Sequence, residues 1–520
     1  MARAGQVTTQ ETRGTDSSLA SAAVWSTTSE LPRFPAPAEE IDVDVAVVGG
    51  GITGASVAHR LKAAGKRVAL LEMGRIGQGT TGYTTAKLTV GQRLVYARLR
   101  STHGPETARL FADSNREAIV RMGDLVAELG IECDWEGTSN YVYTESSGRL
   151  GELEDELEAM RDAGIAAELT RRTELPFPVA GAIRVDDQAQ LHPLKYLAGL
   201  AVDLPGEGSH VFEGTRATAV RTAGRCVVET NRARIHAGHV VLATQLPFLD
   251  RALFFALAHP RKSYAVAAVV GQALAPKSMY IGIDEPTRSI RSTPGEGQTR
   301  YLIVGGESGR PGEGLQKKRY EALAAFMRDQ FGVEAELSWS AHDYMPADGL
   351  PYIGRLRGHD GRIHVATGFA KWGLTKATIA AGVIGDAVLD RPNPWARLYD
   401  AGRLTPRASA RAVATENAQV ARRFLGDRLR PRPGEEDLQR LAPGAGAVVR
   451  IGGRHLAVYR DDSGARHVLS ARCPHLGCIV GWNDADRNWE CPCHGSRFSA
   501  EGELVQGPAT RGLDRHSRAR

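Results

Sequence analysis

A short run of cysteine and histidine residues near the end of the chain constrains its structure more than any other feature. The run consists of two motifs, CPHLGC at residues 473–478 and, after twelve further residues, CPCHGS at residues 491–496. Together they contain four of the six cysteines of the chain, and each motif also supplies one histidine. Thiolates and imidazoles at such short spacings are typical metal ligands, so the run predicts a metal centre.

The two motifs resemble those of Rieske proteins of the cytochrome bc1 type. A Rieske centre is a 2Fe-2S cluster in which two thiolates bind one iron and two imidazoles bind the other. The resemblance implies four ligands: Cys473, His475, Cys491 and His494. It also implies a disulfide between Cys478 and Cys493 that clamps the two ligand loops. The C-terminal region is therefore expected to be an electron carrier.

Two other kinds of site compete with this interpretation. A zinc ion binds four ligands in a tetrahedron, and six candidate ligands are too many for it. Ring-hydroxylating oxygenases also contain Rieske domains, but theirs lack the two additional cysteines. Within the resemblance, Ser496 matches a serine that donates to a cluster sulfur, whereas Phe498 replaces an expected tyrosine. With one donor lost, the reduction potential is expected to lie below that of respiratory members.

A second motif opens the first half of the chain. The apolar residues 44–48 predict a strand, GGGITG at 49–54 follows, a helix is expected to about residue 64, and a second strand at 67–71 ends at Glu72. This order predicts a dinucleotide site, because glycines let the backbone approach a pyrophosphate at a helix N-terminus and the acid accepts ribose hydroxyls. A tight turn without a ligand would leave Glu72 unexplained.

Further segments favour FAD over NAD. A stretch rich in glycine and threonine at 75–89 offers an extended second contact with a large cofactor. An apolar strand at 239–245 and the segments DGLPYIG at 348–354 and GFAKWGL at 368–374 follow. Together these resemble the D-amino-acid oxidase superfamily of FAD enzymes over residues 42–400. With the C-terminal motifs, the chain is similar to a bacterial group of fused FAD and Rieske proteins related to gamma-glutamylputrescine oxidoreductases.

The resemblance implies a set of residues in contact with FAD. They are Gly49, Gly51, Ile52, Thr53, Gly54, Glu72, Met73, Gly79, Thr80, Thr81, Thr84, Thr85, Ala86, Ala243, Thr244, Gly368, Gly373, Leu374 and Thr375. A similar glycine segment at 301–309 has the wrong spacing for a second nucleotide site and is predicted to be a turn.

The expected fold is an α/β Rossmann-like FAD domain interleaved with an α+β antiparallel-sheet substrate domain, plus a C-terminal all-β Rieske domain. The predicted segments are a flexible tail at 1–40; the FAD domain at 41–100, 186–250 and 336–400; the substrate domain at 101–185 and 251–335; a linker at 401–436; and the Rieske domain at 437–520.

Four side chains are candidates for the catalytic site: Trp372, Tyr264, Arg291 and Lys371. Trp372 lies in the loop expected beside the isoalloxazine, with core packing as its alternative, and Lys371 precedes it. For Arg291, binding of a substrate anion competes with a surface position. Amino-acid oxidising relatives often carry a basic residue where this chain has Thr375, which speaks against a free α-carboxylate in the substrate. His192 is expected to be structural.

Composition and charge exclude other function classes. The net charge of +5 on 520 residues comes without an aromatic-interleaved basic stripe, so no nucleic-acid binding is expected. The basic stretch at 403–432 is predicted to be solvated linker. Cys133 and Cys226 are interpreted as ordinary thiols. The sequence has no run of eighteen apolar residues, and its first forty residues lack a signal-like segment, so a cytoplasmic protein without a membrane span is expected.

Two functions follow from these features. The first is an FAD-dependent amine dehydrogenase or oxidase that oxidises a small-molecule amine or an amino-acid-like substrate. Its electrons would leave through the Rieske cluster to an outside one-electron carrier. The alternative is a redox relay or sensor that exchanges electrons with protein partners, as acceptor or donor, without oxidising a small molecule.

Overall fold

The computed structural model describes residues 19–249, 253–314, 316–358, 360–434 and 436–516. The strands of these residues are β1 (Ala20–Ser21), β2 (Ile41–Val48), β3 (Val68–Leu71), β4 (Lys87–Leu88), β5 (Glu136–Thr144), β6 (Glu168–Thr170), β7 (Gly181–Gln190), β8 (His210–Phe212), β9 (Ala217–Ala223), β10 (Arg225–Thr230), β11 (Ile235–Leu242), β12 (Ala258–Gly271), β13 (Met279–Gly282), β14 (Arg288–Pro294), β15 (Thr299–Gly309), β16 (Leu337–Pro346), β17 (Tyr352–Arg355), β18 (Ile363–Thr367), β19 (Gly446–Ile451), β20 (Arg454–Arg460), β21 (Arg466–Ser470), β22 (Gly481–Asn483), β23 (Asn488–Glu490), β24 (Arg497–Phe498) and β25 (Leu504–Gln506).

The α-helices of the same residues are α1 (Val24–Thr27), α2 (Ile52–Ala63), α3 (Val95–His103), α4 (Pro105–Glu128), α5 (Leu150–Asp162), α6 (Pro193–Asp203), α7 (Phe254–Leu257), α8 (Gln316–Phe331), α9 (Gly373–Val388), α10 (Ala396–Tyr399) and α11 (Pro406–Leu429).

The first sheet has the parallel centre expected of a dinucleotide-binding domain. Its order is β17-β18-β11-β2-β3-β8, with β10 and β9 added as an antiparallel extension of β11. Strands β18 to β8 run parallel, and α2 packs against α9. The second half of β2, residues 45–48, is a continuous apolar run because a central parallel strand is buried on both faces. The carboxyl ends of β2 and β11 therefore meet where the glycine motif begins.

The second sheet is large and mainly antiparallel. Its order is β1-β16-β12-β15-β14-β13-β5-β7-β4, with β6 on β7, and α8 packs on β12 and β15. It includes β4, the end of β7 and all of β16, although the sequence assigned these residues to the FAD domain. The boundaries shift because each of the three strands hydrogen-bonds to a strand of the large sheet.

Residues 301–309 were expected to form a turn, but they belong to the continuous strand β15. Close packing explains why this strand contains glycine. A Cβ atom at Gly306 would lie 2.2 Å from the carbonyl oxygen of Thr287 on the neighbouring chain segment. The segment is thus a strand whose neighbour approaches too closely for a side chain.

The N-terminal segment differs from the expected flexible tail. Residues 1–18 lie outside the described part of the chain, but Ala20–Ser21 pair with β16 and Trp25 is fully buried. The Trp25 indole N–H donates to the carbonyl of Thr84 at 2.6 Å, and its ring meets His192 edge-on at 5.0 Å. Ala23, Val24 and Trp25 are therefore part of the core, because their apolar side chains pack beside the threonine-rich segment.

The predicted linker is mostly helix. Helix α11 spans 24 residues and joins the two large sheets to a C-terminal domain with a three-stranded and a four-stranded antiparallel sheet. Val420 and Phe424 of α11 pack on the C-terminal domain, and Asn417 donates to the carbonyl of Ala256 at 2.9 Å. The linker thus lies against both halves. Across the described ranges, no helix combines the length and apolar character needed to cross a bilayer.

Candidate functional site

The glycine motif forms the tight junction between β2 and α2. Gly49 has a φ of 111°, and a Cβ atom there would lie 2.5 Å from the carbonyl oxygen of Ala243. A Cβ atom at Gly54 would lie 1.9 Å from the carbonyl oxygen of Gly49. A Cβ atom at Gly51 would meet only the Thr81 hydroxyl, at 3.2 Å. Gly49 and Gly54 are therefore required by backbone packing, whereas Gly51 keeps a surface clear at the start of α2.

Glu72 sits at the end of β3, beside that surface. Its carboxylate accepts the N–H groups of Gly50 and Gly74, both at 2.8 Å. Burial raises the pKa of Glu72, while these hydrogen bonds oppose the rise. Sequence reasoning missed a second carboxylate nearby. Glu213 accepts the N–H groups of Phe34 at 3.2 Å and Ile76 at 2.9 Å and so ties down the loop that carries Glu72.

The threonine-rich segment closes over the start of α2. The Thr81 hydroxyl accepts the N–H of Ile52 at 3.0 Å, and the Thr80 hydroxyl donates to the carbonyl of His342 at 2.7 Å. Thr84 accepts the N–H of Ala86 at 3.1 Å, where the backbone has a left-handed φ of 53°. These bonds position two hydroxyl-bearing turns opposite the helix N-terminus.

A cavity of about 1420 Å³ runs from this junction to the large sheet. Most of the residues expected to contact FAD line it: Gly49, Gly51, Ile52, Thr53, Glu72, Met73, Gly79, Thr80, Thr81, Thr84, Thr85, Ala243, Thr244, Gly368, Gly373 and Leu374. Three do not. Gly54, Ala86 and Thr375 are buried behind the wall, where they serve helix packing and turn formation.

The loop before α9 is held in a strained conformation. Gly368, Ala370 and Lys371 all have left-handed φ angles, at 74°, 53° and 72°. Asp343 accepts the Lys371 N–H, and the Lys371 ammonium donates to the Ser308 hydroxyl at 2.7 Å. Burial raises the pKa of Asp343 to about 6 and lowers the pKa of Lys371 to about 8. Both groups face the cavity, and left-handed non-glycine residues of this kind cluster at functional sites.

The four catalytic candidates do not all reach the cavity with their side chains. Trp372 and Lys371 line it. Tyr264 borders it, but its ring packs edge-on against Tyr320 at 5.2 Å on the opposite face of the sheet. Arg291 does not line the cavity: it is fully buried, and its guanidinium donates to the carbonyls of Thr85 and Ala86 at 3.0 and 2.7 Å. The alternation of side chains along β12 directs the ring of Tyr264 away from the cavity. Packing beneath the threonine-rich segment keeps the guanidinium of Arg291 out of the cavity.

The contacts of Tyr280 and His192 indicate that both side chains have structural roles. Tyr280 stacks on Tyr141 at 4.9 Å, away from the cavity. His192 caps α6 by accepting the N–H of Lys195 at 3.2 Å, as a structural histidine would. Burial lowers the pKa of His192 to about 4.

Two buried lysines line the cavity and were missed by sequence reasoning. Lys87 donates to the carbonyl of Tyr280 and, at 2.8 Å, to the hydroxyl of Ser289. Lys376 donates to Asn115 and, at 3.1 Å, to Gln92. Burial lowers the pKa of both lysines well below the usual range. Their local sequence carries no signal, because the partners come from distant segments.

The C-terminal domain brings the predicted metal ligands together. Cys473 and Cys491 are buried thiols close enough to hydrogen-bond, and that bond lowers the pKa of Cys473 and raises that of Cys491. The rings of His475 and His494 lie 5.0 Å apart. Cys478 and Cys493 form a disulfide. The expected set of two thiols, two imidazoles and one disulfide is therefore assembled at one place.

The chemistry of this donor set fits a 2Fe-2S cluster. Neither ring nitrogen of His494 has a hydrogen-bond partner in the described chain, although both are buried. Burial lowers the pKa of His494 to about 3, so its imidazole is neutral and suited to bind metal. Ser496 is also buried, and its hydroxyl accepts the N–H of Ala509 at 3.1 Å.

A buried ion network attaches the C-terminal domain to the large sheet. The ammonium of Lys262, on β12, donates to Glu490 and Asp486, both at 2.6 Å. Glu490 also accepts the N–H of Gly312 at 2.7 Å, and Asp486 accepts the hydroxyl of Ser340 at 2.8 Å. Burial would raise the pKa of Glu490, but Lys262 and His342 outweigh it and hold the pKa well below its usual range.

The loop of residues 491–496, which we call the cluster loop, touches the wall of the cavity. The hydroxyl of Tyr344, on β16, donates to the carbonyl oxygen of His494 at 2.8 Å, and the ring of Phe255 lies 5.5 Å from that of His494. Residues 504–510 of the C-terminal domain also line the cavity. The pleat of β16 explains this proximity: Ala341, Asp343 and Met345 line the cavity, while the alternate side chains of Ser340, His342 and Tyr344 contact the C-terminal domain, and Tyr344 borders the cavity as well.

Comparisons with known proteins agree with both halves. Residues 44–387 match the FAD dependent oxidoreductase family, and residues 435–517 match the Rieske 2Fe-2S domain. The chain is 34% identical over 494 residues to the Bacillus subtilis protein YhfW, which is named for a Rieske 2Fe-2S iron-sulfur centre; the match covers 94% of this chain and 96% of the relative.

Two further comparisons concern the first half. The chain is 23% identical over 363 residues to the gamma-glutamylputrescine oxidoreductase of Escherichia coli, covering 67% of this chain and 84% of the relative. The fold is similar to that of glycine oxidase from Geobacillus kaustophilus, with a TM-score of 0.59, 21% identity and coverage of 70% of this chain and 99% of the other.

Proposed function

Since the chain belongs to the family of FAD dependent oxidoreductases and carries a C-terminal Rieske 2Fe-2S domain, we propose that it oxidises a small amine or amino-acid-like compound and passes the electrons through the cluster to an external acceptor. When bound, FAD supplies two-electron oxidation of the carbon beside the substrate nitrogen, and the cluster supplies one-electron transfer. The protein holds, orients and encloses these groups.

The size of the cavity is the observation that carries the proposal. Its volume of about 1420 Å³ exceeds the roughly 300–1,000 Å³ of a typical small-molecule pocket. A relay that only exchanged electrons with proteins would need space for the dinucleotide alone. The lining of the cavity continues beyond the dinucleotide junction to Asp343, Lys371 and Trp372; this part of the cavity supports a substrate, and the name of the Escherichia coli relative supports an amine.

We assign FAD binding to the junction of β2 and α2. Gly51 would leave room for the pyrophosphate at the N-terminus of α2, where free N–H groups favour a negative charge. Glu72 would accept the ribose hydroxyls. The hydroxyls of Thr80 and Thr81 would border the same part of the cofactor.

We assign the substrate end of the cavity to the loop before α9 and to β16. Trp372 provides an apolar wall, and Asp343 holds the loop through the Lys371 N–H. A neutral amine is the form that gives up hydride, and enclosure by these walls would favour it by excluding water. The carboxylate of Asp343 lies where an ammonium group entering the cavity would meet it.

We assign the cluster to Cys473, His475, Cys491 and His494, with the disulfide between Cys478 and Cys493 bracing the two loops. Tyr344 would couple the cluster loop to the cavity, because its hydroxyl bonds to His494 and its carbonyl accepts the Ala370 N–H at 3.1 Å. The connection lies within one chain, so cluster reduction would not require a second copy.

An anaerobic substrate screen tests the proposal. The holoprotein is mixed with primary and secondary amines, including gamma-glutamylputrescine, glycine and proline, while the flavin absorbance near its visible maximum is followed. Bleaching by at least one amine, followed by the electron paramagnetic resonance signal of a reduced Rieske centre, is the expected result. If no amine bleaches the flavin but a reduced carrier protein does, the relay or sensor function replaces this proposal.

A further inference from the structure

One of the four candidate cluster ligands lies close to the protein surface. Cys473, Cys491 and His494 are at most 3% exposed, whereas His475 is half-buried and the adjacent Leu476 is 41% exposed. His494 faces Tyr344 and Phe255, toward the cavity. The cluster site thus has an inner side at His494 and an outer side at the loop of residues 472–477.

The outer side is surrounded by arginines from three separate segments. Arg472 immediately precedes the first ligand and is exposed, and Arg450 is exposed on β19. Arg428, near the end of α11, donates to the carbonyl of Gly477 in the ligand loop at 2.7 Å. We call Arg428, Arg450, Arg472 and Leu476 the cluster rim.

The pKa of His455 indicates that the positive charges of the rim arginines act on the same place. His455 is 8% exposed, and its carbonyl accepts the N–H of Ala471, the residue before Arg472, at 3.1 Å. Burial lowers its pKa, and Arg432, Arg450, Arg472 and Arg428 each lower it further. The nearby carboxylate of Asp427 is buried, with Arg423 and Arg432 each 3.8 Å away, so it adds little negative charge at the surface. The rim is therefore a positive surface next to a metal ligand.

The same part of α11 exposes apolar side chains. Leu425 is 61% and Leu429 is 80% exposed, one helical turn apart and flanking Arg428 in sequence. Charges in a surface ring with a few exposed apolar groups are typical of transient recognition, in which opposite charge accelerates encounter and little area is buried. A nucleic acid or a membrane would match the charge but would have no use for a redox centre beneath it.

Resting on the proposed function, we propose that the cluster rim is the docking surface for an acidic one-electron carrier protein. In the step that it serves, His475 would lie between the cluster and the carrier, and the oxidised carrier would accept one electron from the reduced cluster, with no proton or atom transferred. The basic residues at 403–432 are then in part a recognition surface, rather than the solvated linker that their sequence indicated.

Stopped-flow oxidation of the reduced cluster tests this docking surface. The full-length holoprotein is reduced with dithionite, freed of excess reductant and mixed with oxidised plastocyanin, an acidic carrier, or with cytochrome c, a basic one. We expect the rate constant with plastocyanin to fall as ionic strength rises. Arg450→Glu and Arg472→Glu should each lower it about tenfold at low ionic strength, and each should raise the rate with cytochrome c.

Matched controls distinguish weaker docking of the carrier from damage to the cluster. Arg172→Glu makes the same charge change on an exposed residue beyond the edge strand β6 and should leave both rates unchanged. The rate constant for oxidation of the cluster by neutral benzoquinone should be the same in all variants, and so should the electron paramagnetic resonance spectrum. Because Arg450 is not adjacent to a ligand, its variant remains informative even if Arg472→Glu loses the cluster.

Three results would overturn the inference: a plastocyanin rate independent of salt, equal effects of Arg172→Glu and Arg450→Glu, or faster oxidation of the wild type by cytochrome c than by plastocyanin. Binding of a DNA duplex or anionic vesicles that is lost in Arg450→Glu, with carrier rates unchanged, would assign the rim to that ligand instead. Since dithionite reduces the cluster without an amine substrate, a failure of amine oxidation would leave this test intact.

Discussion

The hydroxyl of Tyr344 donates a hydrogen bond to the carbonyl oxygen of His494 at 2.8 Å, across the boundary between the large sheet and the C-terminal domain. Tyr344 is 1% exposed, and its own carbonyl accepts the N–H of Ala370 in the strained loop. One residue therefore connects the loop that borders the cavity with the loop that carries a candidate cluster ligand.

Tyr344→Phe should slow cluster reduction without slowing flavin reduction. The substitution removes one buried hydrogen bond and leaves the carbonyl of His494 unpaired, at a cost of about 1–3 kcal/mol to docking. Stopped-flow absorbance should show an unchanged rate of flavin bleaching, while freeze-quench electron paramagnetic resonance should show a delayed Rieske signal. In Tyr143→Phe, which removes a buried hydroxyl without a partner in the described chain, both rates should equal those of the wild type.

Lys262→Met should release the C-terminal domain from the sheet. Both side chains of the Lys262–Glu490 pair are fully buried, so removing the ammonium leaves the buried Glu490 carboxylate without its nearest positive charge, with Arg497 at 3.8 Å as the remaining cation. Loss of one partner of a buried pair costs about 3–5 kcal/mol. Limited proteolysis should then cut within α11, and small-angle scattering should report a larger radius of gyration.

Lys195→Met is the matched control for that release. Lys195 pairs with Asp134 at 2.8 Å at a partly exposed site away from the interface. Such a pair contributes about 0–1 kcal/mol, so the proteolysis pattern should not change. If Lys262→Met behaves like Lys195→Met, the ion network is not what holds the two parts together.

Gly51→Val should abolish retention of FAD while leaving the protein folded. A Cβ atom there meets only the Thr81 hydroxyl at 3.2 Å, so the additional methyl groups would extend into the cavity at the N-terminus of α2. Flavin absorbance per protein should fall to near zero, with near-normal circular dichroism. Gly271→Val, where a Cβ atom has open space, should keep its flavin. A Gly51→Val protein that purifies yellow contradicts the assignment.

His494→Ala should remove the cluster and spare the flavin. The bond from Tyr344 is made to the backbone of residue 494, so truncation of the imidazole leaves that contact in place. Metal analysis should show loss of iron, and the Rieske signal should disappear at unchanged flavin content. His467→Ala, at a half-exposed histidine of the same domain that pairs with Asp461 at 2.9 Å, should retain both chromophores.

Affinity for FAD should depend on pH through Asp343. Its pKa is raised to about 6, so the carboxylate predominates above that pH and takes up a proton below it. A neutral acceptor binds the Lys371 N–H less strongly, by about 1 kcal/mol, so the dissociation constant should rise about fivefold between pH 7.5 and 5. Flavin fluorescence titrations measure this constant. Asp343→Asn should show the weaker affinity at both pH values. Asp284 does not line the cavity and accepts the N–H of Glu145 at 2.8 Å, so Asp284→Asn should follow the wild type.

The local motifs were predictable because their geometry depends on neighbours in the chain. Gly51, Glu72 and the two C-terminal motifs each lie within a few residues of the turn or loop that positions them. FAD and the 2Fe-2S cluster follow from those motifs, and the family comparisons confirm both. The assignment of individual ligands remains a prediction.

The contacts between distant segments were not predictable. Lys262 meets Glu490 across 228 residues, and Trp25 meets Thr84 across 59. Nothing in the local pattern of either partner indicates the other. The face on which Tyr264 lies also depends on the register of β12, and the burial of Arg291 depends on the threonine segment that covers it.

The pleat of β16 gives neighbouring positions separate tasks. Asp343 and Tyr344 are adjacent in sequence and both border the cavity, yet the side chain of Asp343 bonds to the Lys371 N–H and that of Tyr344 bonds to the loop that carries His494. Inserting or deleting a single residue in this strand would exchange its two faces. The carboxylate of Asp343 would then face the loop that carries His494, and the phenol ring of Tyr344 would turn into the cavity. Random single-codon insertions across the gene should therefore find β16 among the least tolerant stretches, even where point substitutions are accepted.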